Sequence, residues 1–361
     1  MNKLLVLLSV CIARCLPLAA QDTAATTRWL TFSGAVETYY SYDLDREAGS
    51  TYPDFVYTHH RHNEVDINLA YIKAAVSTTA VRANIAFGTG TYMAANYGNA
   101  PGVFRNTFEA NTGVKLLRKR EVWLDAGIMP SHIGLESALS SANTTLSRSI
   151  VAENSPYYET GLRLSSTSLN NKWYLAALML NGWQRVQRIP GNNAANAGTQ
   201  VTYTPSQKFT INYSTYFGSE FPDSARRWRH FHNVYTTFTA TPRITISASG
   251  DYGAQQASKN SNVWRPWYGA VLMARYKISD KLAAAVRTEY YSDRDSVIVK
   301  TGQPDGIVAI GSSLNVDYRI NRFVLWRVES KLLSEPNEVF TARKTMSQRD
   351  VTITTSLTIT F

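Results

Sequence analysis

At 361 residues the chain could fold as one large soluble domain or as one wide barrel, and its 37 Lys and Arg against 27 Asp and Glu give a formal net charge of +10. Beyond its first twenty residues it has no cysteine, which excludes a disulfide framework, a thiolate metal site and a thiol nucleophile. No stretch approaches the roughly 18 consecutive apolar residues of a membrane helix, yet 21 Tyr and 8 Trp suit the aromatic girdles of a protein crossing a membrane–water boundary.

Residues 1–20 open with Lys3, run through the apolar Leu4 to Leu8 and end in small residues before Gln21, the pattern of a cleaved secretory signal. Val10 and Arg14, which precede the cysteines at 11 and 15, are not the small residues of a lipidation site. Residues 21–361 are therefore expected to form one exported domain. For an exported chain the excess positive charge points to lipopolysaccharide phosphates or anionic solutes, not to nucleic acid.

From residue 29 onward the sequence alternates with period two in sixteen segments: 29–42, 63–77, 81–93, 107–117, 121–130, 157–167, 172–184, 199–205, 207–218, 230–240, 243–255, 264–278, 281–292, 306–319, 322–334 and 349–361. Seven short turns, such as Thr78-Thr79, Thr241-Pro242, Ser279-Asp280 and Ile320-Asn321, interleave strictly with eight long polar connections. One-sided short turns and opposite long loops are the signature of an all-β transmembrane antiparallel barrel, here of about 16 strands (range about 14–18) with both termini at the short-turn end. With the first strand starting within about ten residues of the expected cleavage site, no plug domain is expected and the bore is expected to hold water. A soluble sandwich also alternates, but its buried face would be the apolar one.

The faces separate within each strand. Outward sets include Val65, Ile67, Leu69 and Tyr71, and Leu282, Ala284, Val286, Thr288 and Tyr290. Inward positions carry both signs, with Glu37, Glu64, Asp66, Asp125, Asp251 and Asp317 against Arg243, Arg275, Arg287, Arg319, Arg327 and Lys331.

Among the connections, His59-His60-Arg61-His62 resembles a metal tract but lacks a carboxylate or cysteine at fixed spacing, so no metal is expected. Loop three, 131–156, is the longest and mixes Ala, Leu, Ile and Ser, too apolar to extend freely into water. Arg226, Arg227 and Arg229 beside Trp228 suit phosphate binding at the outer rim, and His230 and His232 share a strand face as a lumen or rim pair. Ser131-His132 and Ser149 with Glu153 are the nearest approach to a hydrolase, yet neither G-x-S-x-G nor H-E-x-x-H occurs. No enzyme activity and no cofactor are expected. The chain closes with Val351, Ile353, Thr355, Leu357, Ile359 and Phe361 on one face and hydroxyls on the other. It resembles the closing strand of bacterial outer-membrane barrels, whose last aromatic, here Phe361, is part of the signal read by the insertion machinery.

Pro130-Ser131-His132-Ile133-Gly134-Leu135-Glu136-Ser137, Leu146-Ser147-Arg148-Ser149-Ile150, Ala152-Glu153-Asn154-Ser155-Pro156-Tyr157-Tyr158-Glu159-Thr160-Gly161 and the Trp-bearing segments at 172–175 and 180–185 resemble the OmpL-like β-barrel porin family of Gram-negative bacteria. That resemblance implies an outer-membrane diffusion channel for small hydrophilic solutes, in contact with outer-membrane lipid and lipopolysaccharide and able to form a homotrimer. Loop three also resembles the third loop of general porins, which folds inward. On that basis Glu136, Arg148 and Glu153 are expected at a constriction facing Arg82, Glu109, Lys115 and Arg163, with a mild anion preference. The alternatives are a structural or adhesive barrel whose bore loop three blocks, and a barrel-embedded hydrolase.

Overall fold

The computed structural model describes residues 29–44, 52–53, 55–336, 340–342 and 345–361; the expected signal at 1–20 lies outside them. Sixteen antiparallel strands close into a barrel, each paired with its chain neighbours. They are β1 (Leu30–Asp43), β2 (Val65–Ser77), β3 (Val81–Thr89), β4 (Thr107–Lys115), β5 (Glu121–Pro130), β6 (Tyr158–Thr167), β7 (Trp173–Leu180), β8 (Asn196–Ser206), β9 (Phe209–Ser219), β10 (Trp228–Thr241), β11 (Ile244–Gln256), β12 (Trp264–Lys277), β13 (Leu282–Asp293), β14 (Ile307–Arg319), β15 (Val324–Ser334) and β18 (Arg349–Thr360). A small hairpin, β16 (Phe340–Ala342) with β17 (Thr345–Ser347), sits within the last long loop.

The ring is sealed between β1 and β18, in register from Ala35 with Thr360 to Asp43 with Thr352. Gly34 and Phe361 exchange backbone hydrogen bonds of 2.9 and 3.0 Å. A Cβ on Gly34 would stand 2.5 Å from the Phe361 ring, so the seam needs glycine there. Four of the tight turns share one device. The side-chain oxygens of Thr78, Thr241, Ser279 and Asn321 accept the N–H three residues on, at 2.9 to 3.1 Å.

Outward side chains form an apolar band bounded by aromatics. At the long-loop end Phe217 stacks on Trp228 at 4.9 Å and His230 lies 5.2 Å from Trp264. At the short-turn end Trp173 stacks on Tyr203 at 4.2 Å. The histidine pair of β10 belongs to this outer rim: Tyr213 and His232 share a 2.7 Å hydrogen bond on the lipid-facing side.

Period two misassigns one strand. Pairing between β1 and β2 shifts at Glu37/Thr38, where Leu69 is followed by Ile67 as partner, so β2 bulges at Asn68. From there on the parity reverses. Leu69 and Tyr71, expected to face lipid, turn inward, Leu69 with 1% exposure, while Ile72 is exposed outside. The segment expected as 81–93 stops at Thr89, because Gly90 at φ +114° turns the chain into α1 (Thr91–Tyr97).

Candidate functional site in the barrel interior

The bore is built as two unlike walls. Along β10–β15, β18 and β1 it is filled by loop three, which carries α2 (Ile150–Glu153). An irregular segment inside a barrel must find partners for backbone N–H and C=O groups that no sheet satisfies, and the inward charges supply them. Leu146, Ser147 and Ile150 donate backbone N–H to Asn315, Glu329 and Glu289 at 3.0, 2.5 and 2.6 Å. The loop carbonyls accept in turn. Ser140 O receives Arg327 at 2.5 Å, Ser147 O receives Arg287 at 2.6 Å, and Arg148 O receives Lys331 at 3.1 Å. Arg327 also pairs with Asp317 at 2.6 Å and is fully buried.

The three loop charges expected at the constriction are absorbed by the same packing. Glu136 accepts the Ser149 N–H at 3.1 Å and the Ser149 hydroxyl, and lies 3.9 Å from Arg287. Arg148 lies 3.4 Å over the Tyr157 ring and donates to Ala152 O at 3.1 Å. Glu153 accepts the N–H groups of Tyr57 and Thr58 at 3.2 and 3.3 Å and the hydroxyls of Thr58 and Tyr157. All three are buried. Among the described residues no hydrogen bond or ion pair joins them to Arg82, Glu109, Lys115 or Arg163. The expected facing arrangement is replaced by two separate groups, because the loop leans on the opposite wall.

Burial raises the Glu136 carboxyl above its usual range against the pull of Arg287 and Arg148. At the root of the loop His132 holds Glu159 at 2.7 Å through Nδ1 and the Thr215 carbonyl at 2.9 Å through Nε2. Burial disfavours its imidazolium, but the Glu159 carboxylate outweighs this and the imidazole is raised. Both ring nitrogens are thus engaged, and no described serine hydroxyl hydrogen-bonds to the ring. Ser149 spends its hydroxyl on Glu136 and on capping α2 through the Ala152 N–H at 3.1 Å. The serine arrangement that a hydrolase would need is not assembled here.

The other wall, β2–β6, is wet. Lys73 pairs with Glu109 at 2.5 Å, Arg82 grips Asp125 bidentately at 2.6 and 2.5 Å, and Arg163 reaches the same carboxylate at 3.3 Å. In each pair the acid lies beneath and the cation faces the space. Side-chain exposure is 26, 31 and 22% for Lys73, Arg82 and Arg163, against 8% for Glu109 and 1% for Asp125. Across the bore Arg275, 32% exposed, covers Asp317 at 3%. Lys115 with Glu121 reverses the order at the turn edge, 13% against 50%. Lys73 was not anticipated, since period two sent it toward lipid. A lysine on a lipid-facing register was itself the warning of a bulge.

At the long-loop end α1 covers the top of this wall with Tyr92, Met93 and Tyr97 packed on Leu69, Ile128 and Tyr158. A vestibule of about 930 Å³ opens beside it, lined by Tyr57, Asn96, Tyr158, Trp183, Arg185 and Lys300. Arg229, expected to reach lipopolysaccharide, points inward instead. It is buried 5.2 and 5.5 Å from the Trp183 and Trp267 rings and donates to Gln255 at 2.7 Å. Arg226 and Arg227 stay at the rim, over Trp228 and Phe221. The histidine tract disperses: His59 Nε2 meets Glu37 at 2.6 Å, His60 Nδ1 the Tyr57 carbonyl, and His62 Nδ1 accepts from Asp43 N–H.

Sixteen antiparallel strands closed on themselves, with an inward-folded third loop, define a porin-type barrel. Residues 29–361 match the family described as "Putative beta-barrel porin-2, OmpL-like", and the chain belongs to that family. Its fold is similar to Salmonella typhi OmpF in complex with daunomycin (TM-score 0.64, 11% identity, 92% of this chain and 97% of that one covered). It is also similar to an anion-selective porin from Comamonas acidovorans (0.59, 8%, 92% and 99%) and to the trimer form of OmpT, an outer-membrane protein of Vibrio cholerae (0.58, 10%, 92% and 99%). No curated protein matches the chain.

Proposed function

We propose that this protein is an outer-membrane porin of a Gram-negative bacterium, exported by a signal at residues 1–20, through which small hydrophilic solutes diffuse with a preference for anions. The observation that carries the preference is the layering of the wet wall. Carboxylates that balance Lys73, Arg82, Arg163 and Arg275 are withdrawn from the bore, so a solute meets the cations first. The fold shared with the anion-selective Comamonas porin is in keeping with this reading, and that shared with the V. cholerae trimer with assembly as a homotrimer. Phe361 serves the insertion machinery, and Arg226 and Arg227 meet lipopolysaccharide phosphates. Reversal potentials of the purified protein in a planar bilayer under a salt gradient test the proposal: anion selectivity is expected, and clear cation selectivity overturns it.

A blocked bore is the second reading, favoured by one set of contacts. Tyr92 of α1 meets Tyr157 at 5.2 Å and Arg148 of loop three lies 3.4 Å over the same ring, so both inward-folded segments pack against one aromatic. Single-channel conductance separates the two.

A further inference from the structure

At the short-turn end of β11–β14, away from the wet wall, five cationic side chains line one cavity of about 310 Å³: Arg243, Arg275, Lys277, Lys281 and Arg319. The backbone sets them at one level, since Lys277 N–H donates to Arg243 O at 2.8 Å and Arg319 N–H to Lys281 O at 2.7 Å. Arg275 and Lys277 continue the inward parity of Met273 on β12 and Arg319 that of Asp317 on β14, while Arg243 and Lys281 lie in the turns just before β11 and β13.

The two carboxylates in this cavity are already used. Asp280 pairs with Lys277 at 2.6 Å, and Asp317 with Arg275 at 2.5 Å and Arg327 at 2.6 Å. Arg243, Lys281 and Arg319 have no ion pair or side-chain hydrogen bond among the described residues. Three positive charges without an ion pair therefore line a pocket large enough for a small oxyanion, beside Arg275 and Lys277, whose charges are already matched by Asp317 and Asp280. Neighbouring like charges repel, and a protein that keeps them together without a counter-charge leaves that role to a ligand.

We propose that this cavity is a binding site for a multiply charged phosphate-type oxyanion, held by the Arg243 and Arg319 guanidinium forks and the Lys281 ammonium. Guanidinium groups match two phosphate oxygens at once, while lysine adds a point charge. A monovalent anion would leave most of the charge unbalanced, so affinity should rise steeply with ligand charge. Placing this mouth in the periplasm rests on the function proposed above; the binding itself does not.

The test is an equilibrium titration of the detergent-solubilised barrel with pyrophosphate at low ionic strength, with sulfate and acetate as further arms. Saturable one-to-one binding is expected, with pyrophosphate tightest and acetate undetectable. Arg243→Gln, Lys281→Gln and Arg319→Gln together should weaken pyrophosphate by about tenfold or more, as loss of charge-assisted contacts requires. Replacing Lys73, Arg82 and Arg163 by Gln should leave it within about twofold, since these lie on a separate wall. A heat-dependent shift in gel mobility verifies that both variants are closed barrels. Absence of saturable binding, equal affinity for acetate, or an unaltered affinity in the first variant overturns the site. None of these outcomes depends on whether the channel conducts, so failure here and failure of the porin reading are told apart.

Discussion

The two walls of the bore carry similar charged residues and use them for opposite ends. Along β13–β15 the charges are turned to the backbone of loop three: Glu289 and Glu329 take its N–H groups and Arg287, Arg327 and Lys331 take its carbonyls. Along β2–β6 the same residue types pair chiefly with one another, and Lys73, Arg82 and Arg163 are more exposed than the acids they hold. An inward charge in a barrel therefore has no fixed meaning. Its role is set by whether an irregular segment needs its hydrogen bonds, and that decides which wall is a scaffold and which is a lining.

The largest effect should come from breaking the scaffold. Arg327 is fully buried and bonds Asp317 and the carbonyls of Ser140, Asn143, Thr144 and Thr145. Arg327→Met removes one of the two arginines on Asp317 and the donor to several loop carbonyls, and loss of one partner of a buried pair costs about 3–5 kcal/mol. Most of that falls on the seating of loop three, because the strand ladders are untouched. Single-channel conductance should rise and hydrogen exchange of 140–148 should quicken while heat-modifiable gel mobility is retained. Unchanged conductance and exchange would show that the loop does not depend on this wall.

Breaking the lining should leave the loop seated and alter only the permeant ion. Lys73→Gln, Arg82→Gln and Arg163→Gln together remove three partly exposed cations and leave Glu109 and Asp125 beneath them without their ion pairs. The reversal potential should move toward cation preference, with the wild-type unfolding transition lowered by less than in Arg327→Met. A selectivity that stays unaltered would place the filter elsewhere.

The seating of loop three should also respond to pH, with a sign fixed by two of its residues. Glu136 is raised above its ordinary value of 4.5, by burial first, so its contribution is complete below 4.5 and is lost as pH rises through the raised value. His132 is raised above 6.5 by Glu159 acting against burial, so its contribution is complete below 6.5 and is likewise lost on passing upward through its own value. Both act in one direction: acidification tightens the loop. Exchange protection of 132–153, corrected for intrinsic rates, should increase as pH falls from about 8 to about 4. Glu136→Gln should flatten the acidic part of that profile and His132→Gln the neutral part. Protection that falls on acidification would contradict the assignment.

How much of this was legible before the fold was known follows from range. The strands, the turns, the closing face from Val351 to Phe361 and the inward set Arg287, Glu289, Tyr291 depend on alternation, which is local and survives in the sequence. Lys73 was lost because one extra residue at Asn68 reverses every later side chain, and a bulge has no spacing of its own. The inward folding of loop three was readable from its apolar content, but not the wall it leans on. Which carboxylate accepts Ile150 N–H, 139 residues away, is a property of closure and not of any motif. Arg229 misled for a similar reason: a run of three arginines reads as one patch, whereas strand entry at Trp228 sends alternate side chains to opposite faces.

The smallest effect belongs to what remains of that run. Arg226 pairs with Asp223 at 2.6 Å, three residues away on an exposed loop, and lies 5.4 Å from the Trp228 ring. The Asp223 carboxyl is lowered to about 2, chiefly by the Arg226 hydrogen bond. Exposed pairs of this kind contribute little, since water and salt screen them. Arg226→Gln with Arg227→Gln should therefore leave the urea midpoint and the reversal potential where they are. Retention of the refolded barrel on lipopolysaccharide vesicles should nonetheless fall, and it should fall more at low salt, where unscreened phosphates are bound most strongly. Equal retention of both proteins would assign the rim contact to the aromatic girdle alone, and a shifted midpoint would mean that the rim, like the scaffold wall, spends its charges on the chain itself.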